Sequence, residues 1–404
     1  MTDLRFRPAS VRRTAAILVA AAGVAVGSAM AVPGRAAASA AQAQVCRGVA
    51  APDVTGAGPD TRLDGEFNDY AVDHTSPDDW TGADSTYSAP LGGGRDLWIF
   101  SDTFLGTVNP DGSRSPTVSD GGDTPFINNS FVLTSRHGIR TITGGTAATP
   151  AALMPPPDSS HWYWSRDGMV LDGRLDVIYS EFAKTGTGPL DFGWYRNVLA
   201  QFSLDDLGRP TDVVPLPSGD DVSWGAWLLR SRGFTYIYGT EDLGASKYLH
   251  LARVPGDDLR QPWQFLAADG HWVAQESASA RIAGAPGSSI DVSNELSVVR
   301  HGRIYVLVTQ DMSAPLSAGI DLAYSCSPTG PFVDETTAYT TPETGANGTY
   351  HDPDVYTYNP HEHPELDRGN RLVISYNVNS LVNTDLYRTA SIYRPRFIDV
   401  SLRG

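Results

Sequence analysis

Cysteine is almost missing from this chain: Cys46 and Cys326 are the only two in 404 residues. So few thiols exclude a zinc cluster and a cysteine-nucleophile constellation. In an oxidising compartment the two could pair; otherwise they are isolated thiols. Lysine is equally scarce, with Lys184 and Lys247 alone, and 30 basic residues face 46 acidic ones for a formal charge of −16. That excess repels phosphate backbones and anionic membranes, so nucleic acid is not an expected partner. Beyond the N-terminal region no long stretch repeats apolar residues at i, i+3, i+4 and i+7, so helices should be few.

The first residues read as an export signal. Arg5, Arg7, Arg12 and Arg13 make a basic start, and an apolar run from Thr14 to Val32 follows. Small residues then lead to Ala41-Gln42-Ala43, a cleavage pattern. Residues 1–43 are therefore expected to be a signal peptide, 44–60 an N-terminal arm and 61–404 the folded domain. Export by the general or the twin-arginine route leaves a secreted chain with no membrane span. Removal takes five arginines and one aspartate, so the charge falls to about −20 over about 361 residues. A chain of that length usually splits into domains or repeats.

Glycine (40) and proline (28) are plentiful and punctuate short, strongly β-forming runs. One pattern recurs: a short strand, a tight turn, a β-rich strand, then a polar residue. The β-rich strands are 97–102, 175–181, 234–241, 304–311 and 372–377, about 69 residues apart on average. Turns such as Asp172-Gly173 and Arg232-Gly233 are hairpin signals. Third strands follow at 129–134, 197–202, 248–253 and 320–325. The pattern predicts an all-β, five-bladed β-propeller with four-stranded antiparallel blades. A β-sandwich is the competing all-β arrangement. Residues 62–72 are expected to supply a missing outer strand, and His361-Glu362-His363 to lie in an exposed loop.

In such a blade the first strand runs nearest the axis and the second runs antiparallel to it. Residues that open the first and close the second therefore share one face. Asp84, Trp164, Trp224, Glu295, His351 and Asp352 open the hairpins; Asp102, Glu181, Glu241, Asp311 and Asn377 or Asn379 close them. The mouth should be rich in carboxylates and indoles and poor in arginine and lysine. Indoles stack on sugar faces, and glycoside hydrolysis needs two carboxyl groups flanking one bond. Asp84 and Asp102 open and close the same hairpin, so they are the catalytic candidates. Trp164, Trp224, Glu295, His351, Asp352 and Asn128 are the substrate-binding candidates. No metal ligand set and no cofactor are called for; the partner is a polysaccharide and the chain a monomer. A non-catalytic sugar-binding propeller at the cell surface would keep the indoles and need no paired acids, and a structural or protein-docking propeller would have its mouth plugged by loops.

The stretch from Trp80-Thr-Gly-Ala-Asp84-Ser-Thr-Tyr87 to Trp98-Ile-Phe100-Ser-Asp102-Thr-Phe104 resembles a group of five-bladed propellers long described as a domain of unknown function. Ile374-Ser-Tyr-Asn-Val-Asn-Ser380 and Tyr393-Arg-Pro-Arg-Phe397 resemble that group's last blade. Part of the group is assigned to glycoside hydrolase family 183, endo-D-arabinanases of mycobacterial cell-wall arabinan. The resemblance implies an endo-acting arabinanase whose two acids match Asp84 and Asp102. Ser101 stands where a glycine commonly precedes the second acid. Tyr324-Ser-Cys-Ser-Pro-Thr-Gly-Pro331 is also similar to five-bladed arabinanases and fructosidases, but Trp224 takes the place of their third-blade acid.

Overall fold

The computed structural model describes residue 49 and residues 51–403, apart from 74–75, 189–190, 245, 285–289 and 291. The expected signal peptide and Cys46 lie outside the described residues.

The chain is all-β, and its strands fall into successive antiparallel sheets. The first joins Tyr87–Pro90, Arg95–Phe100, Ser130–Ser135 and Gly138–Ile142 in that order. The second joins His161–Leu171, Arg174–Lys184, Phe192–Ser203 and Asp212–Pro215. A five-stranded sheet follows, from Val222–Ser231 through Phe234–Asp242, Lys247–Pro255 and Gln264–Leu266 to Trp272–Val273. The fourth joins Ser297–His301, Ile304–Gln310, Gly319–Ser325 and Val333–Thr340. The first four expected hairpins and the four expected third strands each fall in one of these sheets. The turns form as their residues dictate: Asp172 and Gly173 have φ of 50° and 75°, Arg232 and Gly233 of 52° and 80°. Two successive positive φ values make the turn whose twist matches a right-twisted hairpin.

The leading strands of consecutive sheets pack against one another, Tyr87–Pro90 on His161–Leu171, the latter on Val222–Ser231, and that on Ser297–His301. Ile99, Val177, Tyr238, Leu307 and Ile374, one from each second strand, share one apolar core. Polar side chains tie the last sheet to the first. Asn377 donates to Ala83 O (3.3 Å) and Thr86 Oγ1 (2.9 Å), and His363 Nδ1 lies 2.6 Å from Ser88 Oγ.

The last sheet differs from expectation. It joins Val355–Glu362, Arg371–Ser380 and Pro395–Arg403, and its outer strand is Asp53–Pro59, paired antiparallel with Pro395–Arg403. Residues 62–72 do not supply that strand. Asp60 caps a helix there, Thr61–Tyr70, by accepting from the amides of Arg62 and Leu63. Leu63 and Phe67, four residues apart on one helix face, are buried. Phe67 meets Trp80, Trp98, Phe100 and Phe397. Burying such a ring contributes roughly 1.5–3 kcal/mol, more than an unpartnered strand there would gain. His361-Glu362-His363 is not an exposed loop either. Val355–Glu362 runs on past a bulge to pair His361 with Ser375, and all three residues are fully buried. Cys326 is disulfide-bonded.

Candidate active site

Asp84 and Asp102 occupy a break in the first hairpin. Trp80–Ala83 pairs with Thr103–Leu105 below the break, and Tyr87–Pro90 with Arg95–Phe100 above it. Ala83 faces Thr103 and Tyr87 faces Ile99, a constant register that sets residue 84 opposite residue 102. Opposed residues of an antiparallel pair project to the same face. Backbone bonds hold the break: Asp84 N donates to Asp102 O (3.2 Å) and Ser101 N to Asp84 O (3.0 Å). Ser85 takes a φ of 54°, which turns the chain from one segment into the next.

Both carboxylates are held by neutral donors. Tyr358 and Tyr393 donate their hydroxyls to Asp84 Oδ2 at 2.7 and 2.8 Å. Asn128 Nδ2 and Trp164 Nε1 donate to Asp102 Oδ1 at 2.9 and 2.7 Å. Each acid keeps some surface exposed. Burial of its carboxyl group pushes Asp84 above the usual carboxylate range, and the two tyrosine hydroxyls pull it partly back. Burial also pushes Asp102 up, and the neighbouring charge of Asp84 adds to it. Tyr393→Phe removes a donor that favours the ionised form, so the Asp84 carboxyl should titrate at higher pH. Carboxyl carbon-13 NMR of wild type and variant checks this.

Gly82 sits where a side chain cannot. A Cβ there would lie 2.0 Å from the Tyr393 carbonyl oxygen. Gly82→Ala must therefore displace the segment that carries Tyr393. The expected cost is about 1–3 kcal/mol of stability, read from the denaturant midpoint.

A third carboxyl group lies beside the pair. Ser85 Oγ donates to Glu295 Oε1 (2.6 Å), and His361 Nε2 is 3.5 Å from Glu295 Oε2. Burial pushes Glu295 up to about 8, against the pull of Arg166, and Asp84 raises it further. Arg166 corrects the expectation of a mouth without arginine. It is buried and donates to Ser180 Oγ (3.1 Å), Ser223 Oγ (2.7 Å) and Asn294 O (2.8 Å). It stands at a bulge between Ser165 and Gly168, which turns it inward. His361 packs against Tyr87 at 3.8 Å between ring centres with the planes tilted by 36°, and burial holds it well below the usual imidazole range, so it is neutral.

The remaining candidates divide. Asn128 and Trp164 bond Asp102, and Glu295 adjoins Asp84. Trp224 is not at the mouth. It is fully buried, donates to Glu276 Oε1 (2.7 Å) and packs against Trp263 and Phe265, so it has no face free for a sugar. Its strand bulges between Trp224 and Trp227, which turns the indole between sheets. His351 is exposed at a φ of 52°, and Asp352 is 3.1 Å from Arg388; neither contacts Asp84 or Asp102. Asp352, Asp354 and Asp385 lie close enough together to hold a cation, but Arg388 already bonds Asp352 and Asp385. The other hairpin-closing acids are spoken for: Glu181 by Arg196 (2.6 Å), Glu241 by Arg281 (2.6 Å), and Asp311 by Ser313 and Ser317.

Sequence reasoning missed Tyr358, Tyr393, Arg166 and His361. Arg166 was within reach, two residues beyond Trp164 at the opening of the second hairpin. Tyr393 lay in the last-blade segment 393–397, but its partner is 309 residues away in sequence.

The class these features define is an all-β chain of serial antiparallel sheets with an opposed acid pair in its first hairpin. Within that class the chain belongs to the family described as a domain of unknown function, DUF5005, whose model matches residues 64–402. No curated protein matches the sequence. Among solved structures, a Bacteroides ovatus protein assigned provisionally as a hydrolase shares the fold, with a TM-score of 0.68 and 22% identity over 85% of this chain and 90% of that one. More distant similarity links it to a GH43_1 enzyme from Xanthomonas citri (TM-score 0.42, 15% identity, 90% of this chain and 94% of that one). The catalytic domain of a Coprinopsis cinerea GH62 α-L-arabinofuranosidase is similar at a TM-score of 0.43 and 10% identity, over 80% and 91% of the two chains.

Proposed function

We propose that this chain is a secreted, monomeric glycosidase related to glycoside hydrolase family 183. It cleaves α-D-arabinofuranosyl links within cell-wall arabinan, and its successive sheets are the blades of a five-bladed propeller. One observation carries the reading. Asp84 and Asp102 face each other in one hairpin and, among the described residues, neither forms an ion pair, while Glu181 and Glu241 are each neutralised by arginine. Two unneutralised acids on one face are what glycoside cleavage requires.

Their surroundings divide the labour. Asp102 is raised by burial and by the charge of Asp84, so it is the group that holds a proton to give to the leaving oxygen. Asp84 keeps two hydroxyl donors that favour its anion, so it is the base or nucleophile at the anomeric carbon. The bond from the anomeric carbon to the leaving oxygen breaks, that oxygen takes the Asp102 proton, and water supplies the new hydroxyl, giving its other proton to the Asp84 carboxylate in direct attack or to the Asp102 carboxylate when Asp84 is the nucleophile. Both groups titrate above the ordinary carboxylate range. The pH–rate profile should therefore be bell-shaped, with its acidic limb well above pH 4 (an unperturbed aspartate titrates at about 3.9).

The test is incubation of the purified protein with arabinogalactan, followed by chromatography of the soluble fraction. Oligosaccharides of several lengths are the expected product. Release of single arabinose units alone contradicts internal cleavage, and no release contradicts the substrate.

A further inference from the structure

We infer that four aromatic rings beside Asp102 form a glycan-binding wall on the leaving-group side of the cleaved bond. This rests on the glycosidase reading above and names residues that reading does not need.

The rings are Trp162, Trp164, Phe182 and Phe192, all from the second sheet. Trp162 and Trp164 come from the start of His161–Leu171, Phe182 from the end of Arg174–Lys184, and Phe192 from the start of Phe192–Ser203. Antiparallel pairing brings those ends together, with Trp162 opposite Phe182 and Lys184 opposite Phe192. The rings form one continuous cluster. Trp164 lies 4.5 Å from Phe182 and 5.4 Å from Phe192 between ring centres, and Trp162 lies 5.5 Å from Phe192 and 6.2 Å from Phe182.

None of the four is fully covered, whereas the indoles of Trp80, Trp98 and Trp224 are. Trp224 is the internal contrast: a same-sized ring, closed over by its neighbours. A contiguous apolar patch left partly open marks a binding surface. Its occupant follows from what it joins. Trp164 Nε1 donates to Asp102 Oδ1, so the wall begins at the proton donor. The Asp84 side is walled instead by the Tyr358 and Tyr393 hydroxyls. A chain cut between the acids leaves its departing portion beside Asp102, against the rings. Flat rings hold the C–H faces of sugars without demanding one hydroxyl pattern, which suits a repeating polymer.

The experiment separates binding from cleavage. Asp84→Asn protein is run through native gels containing arabinogalactan, alone and combined with Trp162→Ala, Phe192→Ala, Trp162→Phe or Val213→Ala. Val213 lies on an exposed outer strand of the same sheet and serves as the control. Trp162→Ala and Phe192→Ala are each expected to weaken binding by about fivefold to tenfold, the scale of one aromatic contact. Trp162→Phe should recover part of it, and Val213→Ala should change nothing. Unchanged retardation in both alanine variants overturns the wall, as does an Asp84→Asn protein that the polymer does not retard at all. Cleavage persisting in Asp84→Asn would instead overturn the catalytic assignment.

Discussion

Asp84→Asn and Asp102→Asn should each end oligosaccharide release while the sheets stay folded. Asparagine keeps the shape and the hydrogen bonds of one oxygen but cannot titrate. The expected loss is about 10²–10⁴-fold for each acid, measured as initial rate on arabinogalactan with circular dichroism as the folding control. Rates within a few-fold of wild type in both variants would remove the enzyme reading. The same substitutions should move stability the other way. Burial raises both carboxyl groups in the folded state. Their contribution is therefore fully present below the unfolded value of about 3.9 and is lost as pH rises through the folded values. At neutral pH the wild type bears the cost of ionising a crowded, buried pair. Asp102→Asn should thus be the more stable protein near about pH 7, with the gap closing toward about pH 4. Denaturant midpoints across that range decide it, and a variant less stable at every pH would contradict it.

The second large effect belongs to Arg166. Its guanidinium joins Ser180 of the second sheet, Ser223 of the third and Asn294 ahead of the fourth. Arg166→Met retains the apolar stem and abandons three buried acceptors. Hydrogen bonds to a charged group are worth about 1.5–3 kcal/mol each, and partial relaxation leaves an expected loss of roughly 3–5 kcal/mol. The substitution also removes the positive charge that lowers Glu295, so that carboxyl group should titrate above its value of about 8. Urea unfolding reads the first effect and NMR titration of Glu295 the second. A variant as stable as wild type would show that Arg166 is not a tie between sheets.

What the sequence disclosed was local. Hairpins announced themselves because Asp172-Gly173 and Arg232-Gly233 fix their turns within two residues. The opposition of Asp84 and Asp102 was equally readable, since both lie in one hairpin whose register the turn sets. Contacts that cross the molecule left no such trace. Tyr393 reaches Asp84 only because the last sheet packs on the first. His361-Glu362-His363 looked solvated because its composition is polar. The bulge that continues its strand, and the packing of His361 against Tyr87, are tertiary facts. Trp224 misled for a related reason. A bulge between Trp224 and Trp227 shifts the pairing, and alternation counted back from the hairpin turn predicts a facing direction only while the pleat is unbroken. The helix at Thr61–Tyr70 won over a strand because Phe67 finds a ready aromatic nest.

The strand Asp53–Pro59 lies alongside Pro395–Arg403 and completes the last sheet. Synthesis therefore makes one of these partners long before the other. An emerging chain carries residues 53–59 without their mate until residues 395–403 have been added. Resistance to proteases in the last sheet should then arrive late, when residues 395–403 meet residues 53–59.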